Sequence, residues 1–221
     1  MQKLKADWLS FDLDGTLVDS VPDITFSLNQ MLNRMGLPAV NEVLARNWIG
    51  NGAELLIKRA LHHVLASSPS QVSQEQAREY FFDAYQENIA AKTVVYPGCM
   101  DLLEHIAEKS IPMACVTNKP RKFTQSLLER LSITGYFNVL VCGDDLPTKK
   151  PDPAMILKAI EDMNSTPRDG YLVGDSHTDM AAARAAGAGA IYVSYGYNRG
   201  VCVEKYSPIR VNSLNELIDL I

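Results

Sequence analysis

Two acidic residues set two apart, in Phe11-Asp12-Leu13-Asp14-Gly15-Thr16, follow an apolar run at residues 7–13 that reads as a strand. Strand periodicity puts Asp12 and Asp14 on one side of the chain as it leaves the sheet, and Gly15 lets the backbone turn sharply. Carboxylates held that close repel by about 4 kcal/mol at ~4 Å and an effective dielectric of ~20. A hard divalent cation with oxygen ligands relieves the repulsion, and Mg2+ is the expected ion. A second acidic pair stands in Val173-Gly174-Asp175-Ser176-His177-Thr178-Asp179. Asp175 directly follows a strand expected at 171–174 and Asp179 lies one helical turn further on, so both can face one cation. Helix capping by Asp175 or Ser176 explains half of this motif but not both acids.

Between the acidic pairs lie two segments suited to an anion. Val116-Thr117-Asn118-Lys119 closes a strand expected at 113–117, where a hydroxyl and backbone amides at a helix start make an anion pocket. A plain Thr or Asn helix cap is the simpler use of these residues. In Lys149-Lys150-Pro151-Asp152-Pro153 two prolines stiffen the approach to a helix and so fix where a lysine ammonium points. The doubled lysine leaves open which of the two it is.

These segments need a scaffold that brings their ends together. Apolar runs at 7–13, 113–117, 139–142, 171–174 and 190–194 alternate with helical periodicity at 100–109, 122–131, 154–163 and 180–186, and a short helix closes the chain at 214–221. Such alternation predicts an α/β fold with a Rossmann-like parallel sheet, whose ligands gather at the carboxyl ends of the strands. All four segments fall at such ends. About 100 residues separate the first two strands, and within them 22–35, 53–65 and 74–91 carry helical periodicity, with Ser67-Ser68-Pro69-Ser70 as a loop. The gap predicts an inserted helical subdomain at 18–93, leaving 1–17 and 94–221 as the core; helices that cover the sheet as extra layers are the alternative.

Composition narrows the partners. The chain has 221 residues, 21 Lys and Arg against 26 Asp and Glu, and a formal net charge of −5. That balance argues against duplex nucleic acid or an anionic membrane as partner, since both demand a concentrated basic face. No run approaches the roughly 18 apolar residues that a membrane span requires, and residues 1–8 leave no room for a signal peptide before the first motif. Cys99, Cys115, Cys142 and Cys202 form no CxxC pair and read as reduced structural thiols of a cytoplasmic protein, a monomer or homodimer. His62, His63 and His105 lack ligand spacing, and His177 reads as a solvent-facing loop residue.

Taken together and in this order, the four segments resemble the haloacid dehalogenase superfamily of aspartate-nucleophile phosphohydrolases, over essentially the whole chain. Within it the sequence is most similar to bacterial phosphoglycolate phosphatases, through Trp48-Ile49-Gly50-Asn51-Gly52-Ala53, Val116-Thr117-Asn118-Lys119-Pro120, Gly143-Asp144-Asp145 and Lys149-Lys150-Pro151. The resemblance implies a Mg2+-dependent phosphomonoesterase for a small phosphate ester, 2-phosphoglycolate first. It implies Asp12 as nucleophile and metal ligand, Asp14 as general acid and base and, through its backbone carbonyl, a metal ligand, and Asp175 as a further ligand. Thr117, Asn118 and Lys150 would hold the phosphate, the family pattern of Lys directly before Pro favouring Lys150. Asp179 would orient a metal-bound water or Lys150 rather than bind metal. Gly50, Asn51 and Gly52 would offer backbone amides to a substrate carboxylate.

A phosphosugar mutase or a pyrophosphatase of the same superfamily would share these residues. Receiver modules of signalling proteins also gather Asp, Thr and Lys around Mg2+, but they lack the long helical insertion and the DxDGT string. A scaffold protein on a degenerate fold would have no need of the intact acids, Thr117 and Lys150.

Overall fold

A computed structural model describes residues 3–67, 71–197, 202–206 and 208–221. The chain runs β1 (Trp8–Phe11), β2 (Val18–Asp19), α1 (Val21–Arg34), α2 (Glu42–Trp48), α3 (Ala53–Ser67), α4 (Gln74–Asn88), β3 (Val94–Val95), α5 (Cys99–Glu108), β4 (Met113–Val116), α6 (Arg121–Arg130), β5 (Val139–Val141), α7 (Ala154–Asp162), β6 (Gly170–Gly174), α8 (His177–Ala186), β7 (Gly189–Val193), β8 (Ile209–Val211) and α9 (Leu214–Leu220). Of the loop expected at 67–70, Ser67 ends α3, and Ser68, Pro69 and Ser70 lie outside the described residues.

Six strands form one parallel sheet in the order β5-β4-β1-β6-β7-β8. Period-two alternation divides its side chains between two layers. Leu9, Phe11, Met113, Cys115, Val173 and Ile191 face Leu103, Ile106, Leu127 and Leu217 of α5, α6 and α9. Trp8, Ala114, Val116 and Leu172 face Ile156, Ala159, Ala182 and Ala183 of α7 and α8. Covered on both faces, the sheet reads as continuous apolar runs, which is why its strands are visible in the sequence. The chain moves outward from β1 through β4 to β5 and then returns to β6 on the other side of β1. That reversal opens a crevice at the carboxyl end of β1.

Helices α1–α4 enter and leave through β2 and β3, which pair antiparallel, Val18 opposite Val95 and Asp19 opposite Val94. Pro22 suits the first turn of α1, and Ile24, Leu28, Met31 and Leu32 make its buried stripe. Buried Asp23 braces the neck by accepting hydrogen bonds from the backbone N–H groups of Lys92 and Thr93, at 2.9 and 2.8 Å, and from the Thr93 hydroxyl at 2.6 Å. Asn41 caps α2 through the N–H of Leu44, yet α2 buries only Ala45, so it has no apolar period to read.

Three cysteines are buried, and burial raises the thiols of Cys99 and Cys142 to about 12 and that of Cys115 well above the usual value. Cys202 departs from expectation: it is exposed. Among the described residues no helix is long and apolar enough to cross a membrane.

Candidate active site

Sheet register sets the height of the site. Phe11 stands opposite Cys115 and Val173, so the chain emerges from β1, β4 and β6 at one level and delivers Asp12, Thr117 and Asp175 together. Carboxylate oxygens of Asp12, Asp175 and Asp179 all lie within 4.8 Å of one another, and all three residues are buried. Gly15 closes this corner. Its φ is +92°, and a Cβ there would meet Asp175 Oδ2 at 2.4 Å, so both the turn and the close approach exclude a side chain.

Lys150 reaches into the acids. Its ammonium donates to Asp12 Oδ1 at 2.8 Å, Asp179 Oδ1 at 2.6 Å and the carbonyl of Val116 at 2.6 Å, which uses all three of its hydrogens. Lys149 points elsewhere, its ammonium lying beside Gly52. Asn118 fixes the backbone of Lys150 from both sides, its side chain donating to the carbonyl at 2.9 Å and accepting from the N–H at 2.9 Å. The same amide donates to the Gly50 carbonyl at 3.0 Å. With its side chain so engaged, Asn118 has only its backbone amide to offer an anion.

Asp179 does two jobs. Ser176 caps α8 and forms a reciprocal capping box with it, Asp179 Oδ2 accepting from the Ser176 N–H at 3.1 Å, while Asp179 Oδ1 holds Lys150. Capping and chemistry therefore coexist in the segment where the sequence offered them as rivals. His177 is not a solvent-facing loop residue: it is half-buried at the start of α8, with Nε2 2.6 Å from the hydroxyl of Tyr206.

Several contacts around these acids had no assigned role in the sequence. Lys119 pairs with Asp14 at 2.9 and 3.0 Å, and the Ser20 hydroxyl donates to Asp14 Oδ1 at 2.5 Å. Tyr197 donates its backbone N–H to Asp175 Oδ2 at 2.5 Å, accepts from the Ser20 N–H at 2.8 Å and donates its hydroxyl to Asp19 at 2.9 Å. Arg46 of α2 lies over the Tyr197 ring and pairs with Asp19. The only hint in the sequence is that Lys119, Asp19 and Ser20 sit inside or beside the motif strings. Tyr197 lies far from all of them along the chain.

The electrostatics follow from four buried or nearly buried carboxylates, Asp12, Asp14, Asp175 and Asp179, facing two ammonium groups, Lys119 and Lys150. Burial, opposed by Lys150 and reinforced by Asp179, raises Asp12 to about 7. Asp175 is also raised, by burial first and then by Asp179 and Asp12. For Lys150 burial acts downward, but Asp12 and Asp179 outweigh it and keep the ammonium charged. With all four acids ionised the site is short of positive charge by two, and they offer hard oxygen donors at one point. Among the described residues no N–H donates to the Asp14 carbonyl beside them. These residues fit a divalent cation of the Mg2+ type.

Above the acids, Ile24, Ile49, Leu56, Phe81 and Phe123 wall a cavity whose floor includes Asp12, Asp14, Thr117 and Lys119. Gly50 and Gly52 line it from the α2–α3 connection, both with positive φ, 110° and 86°. Asn51 reaches back to the core, its amide 3.2 Å from the hydroxyl of Thr178.

Comparison with known proteins agrees with this arrangement. Residues 9–193 match the family model of the haloacid dehalogenase-like hydrolases. The chain is 40% identical to the phosphoglycolate phosphatase of Nitrosococcus oceani over 97% of its own length and 96% of that protein's. It is 42% identical to the phosphoglycolate phosphatase of Pseudomonas putida over 90% of its length and 73% of the relative's. The crystal structure of a predicted phosphoglycolate phosphatase from Haemophilus somnus superimposes with a TM-score of 0.94 at 31% identity, covering 98% of both chains. The parallel sheet, the acids at its strand ends and the match across most of the sequence have one reading: this chain belongs to the haloacid dehalogenase-like hydrolase family.

Proposed function

We propose that the protein is a Mg2+-dependent phosphomonoesterase of the cytoplasm, working through an aspartyl-phosphate on Asp12, with 2-phosphoglycolate as its substrate. The observation that carries this reading is Asp12 itself, a carboxylate at the crevice with one oxygen held by Lys150, lining the cavity. The substrate follows the relatives that are 40% and 42% identical, both phosphoglycolate phosphatases. A cavity walled mainly by apolar side chains and lined by the Gly50 and Gly52 backbone supports a small leaving group.

In this reading Asp12 attacks phosphorus, the bond from phosphorus to the ester oxygen breaks, and Asp14 gives a proton to the departing alkoxide. Water then attacks the phosphorus of the aspartyl-phosphate, Asp14 takes the proton, and Asp12 is regenerated with release of phosphate. Thr117, the backbone amide of Asn118 and Lys150, which exchanges one of its three contacts to do so, hold the phosphoryl oxygens while charge redistributes. Asp179 positions Lys150 and Ser176 positions Asp179. When bound, Mg2+ held by Asp12, Asp175 and the Asp14 carbonyl offsets the charge of the phosphate. Residues 18–93 act as a cap on a core of 1–17 and 94–221, opening about the paired strands β2 and β3 to admit substrate and closing to exclude water.

Phosphate release from a panel of esters, with Mg2+ and with a chelator, tests this reading. Phosphoglycolate should give the highest kcat/KM, above hexose phosphates, nucleotides and pyrophosphate, and the chelator should abolish turnover reversibly. A hexose 1-phosphate isomerised without net phosphate release, or pyrophosphate preferred, would overturn the substrate while leaving the family intact.

A further inference from the structure

Lys119 stands apart from the groups that hold the phosphate. Its side chain is only 6% exposed, yet it lines the cavity above Asp12. Around it lie Phe81 and Phe123, which offer no hydrogen bond, and the ring of Tyr85, whose centroid is 4.8 Å from the ammonium. An ammonium buried this way is costly unless paired. Asp14 supplies a partner through both oxygens, although Asp14 already accepts from Ser20. Beside Lys119, the Tyr85 hydroxyl is buried and lies on the same cavity wall; the ammonium can only donate to it, so the hydroxyl's own hydrogen has no acceptor among the described residues. A cation and an unused donor therefore face one another in an otherwise apolar enclosure.

Their place relative to the chemistry selects a ligand. Asp14, the proton donor to the ester oxygen in the reading proposed above, has the Lys119 ammonium within 3.0 Å of both its oxygens. In the phosphate ester of a 2-hydroxy acid the carboxylate carbon is two bonds from that ester oxygen. A cation beside Asp14 is thus within reach of such a carboxylate, and of little use to a neutral leaving group. A sugar would instead bring hydroxyls against Ile24, Leu56 and Phe81, where nothing can bind them.

We infer that Lys119, with the Tyr85 hydroxyl beside it, binds the carboxylate of the leaving group and sets the preference of this enzyme for a two-carbon phosphate that carries one. The inference rests on the phosphomonoesterase reading and adds the residues that would read the substrate. Lys119 pairs with Asp14 while the cavity is empty and shares its hydrogens with the carboxylate when substrate is bound. The Gly50-Asn51-Gly52 loop then covers the substrate rather than supplying its main charge contact.

The test compares 2-phosphoglycolate with two neutral relatives, ethyl phosphate and the amide of phosphoglycolate, in wild type, Lys119→Met, Lys119→Gln and Lys119→Arg. Wild type should favour phosphoglycolate over both by about 10²-fold in kcat/KM, the upper end of what one hydrogen bond between charged groups contributes. Lys119→Met should bring that ratio to within a few-fold of one, and Lys119→Arg should keep most of it. Lys119→Gln retains a hydrogen bond to Asp14 without the charge, so it decides the matter should the methionine variant fail to fold; its ratio should also collapse. A ratio that survives in the uncharged variants overturns the role of Lys119 and leaves the substrate reading standing. An equal loss on all three substrates also overturns it, because Lys119 would then serve Asp14 alone. A wild type that shows no preference for phosphoglycolate overturns the substrate reading, and this inference with it.

Discussion

The floor and the roof of the cavity are built on opposite principles. On the floor, Asp12, Asp175, Asp179 and Lys150 are buried polar groups, each tied by hydrogen bonds to another member or to the backbone. Such a network is stable only when all its partners are present, so its geometry is stiff. The roof is made of Ile24, Ile49, Leu56 and Phe81 and touches the floor through a few polar contacts. Apolar packing is tolerant of shape, and the contrast shows where each property can reside. In the proposed function, what all phosphate esters share falls to the floor, and what distinguishes one from another falls to the roof and to Lys119.

Substitutions can break this contrast in order of their effect. Asp12→Asn keeps the shape of the floor and removes the nucleophile's charge, so phosphate release should fall to background, below a few per cent of wild type, while the melting transition survives. Retained turnover above that level would mean that the floor does not do the chemistry. Next in size is Lys150→Ala, which takes the cation from Asp12 and Asp179 together. It should lower kcat by about 10²–10³, the range for one preorganised charge stabiliser, while Lys149→Ala costs far less. Steady-state kinetics giving the reverse ranking would move the phosphate cation to the roof side of the loop.

The smallest effect belongs to the roof. Gly52 has φ +86°, and a Cβ there would lie 3.2 Å from both the Asn118 carbonyl and the Lys149 ammonium. Gly52→Val forces a branched residue into a conformation that costs about 1–3 kcal/mol. We expect roughly a ten-fold loss in kcat/KM for phosphoglycolate, with the Mg2+ concentration for half-activation unchanged. A shift in that concentration would show that roof and floor are less separate than their construction implies.

The same contrast governs what the sequence discloses. Strands β4, β5, β6 and β7 fall within a residue or two of their expected places, because burial on both faces leaves long apolar runs. The β8 strand escapes, being three residues at a sheet edge with Arg210 exposed at its centre. Likewise α2 buries one residue, and β2 and β3 have two residues each, too short for any period. Helix α8 begins at His177 rather than at 180, since its first turn is polar and set by the Ser176 cap.

Site residues divide on similar lines. Asp12, Asp14, Thr117, Lys150, Asp175 and Asp179 stand out because they leave strand ends in dense strings, and the structure gathers them at one crevice. The partners of those residues are harder to see. Tyr197 meets Asp175 across 22 positions and Lys119 meets Asp14 across 105, and neither separation leaves a local pattern. Asp23 would pass for a helix-start acid, and only the fold shows that its carboxylate organises Lys92 and Thr93.

One amide links the two halves of the cavity in time as well as in space. The side chain of Asn118 that seats Lys150 also grips Gly50, and Asn51 grips Thr178. A neutral hydrogen bond contributes about 0.5–1.5 kcal/mol net, so this pair together is worth about 1–3 kcal/mol. In the proposed opening of residues 18–93, these two bonds contribute a bias of roughly 5–150-fold, beside the contacts of Phe82 and Tyr85 in α4 with Phe123 in α6. Contacts of this size release on thermal motion, so in that cycle the departure of product needs no unfolding. Each such opening would withdraw the Gly50 bond from Asn118 and leave the two that seat Lys150.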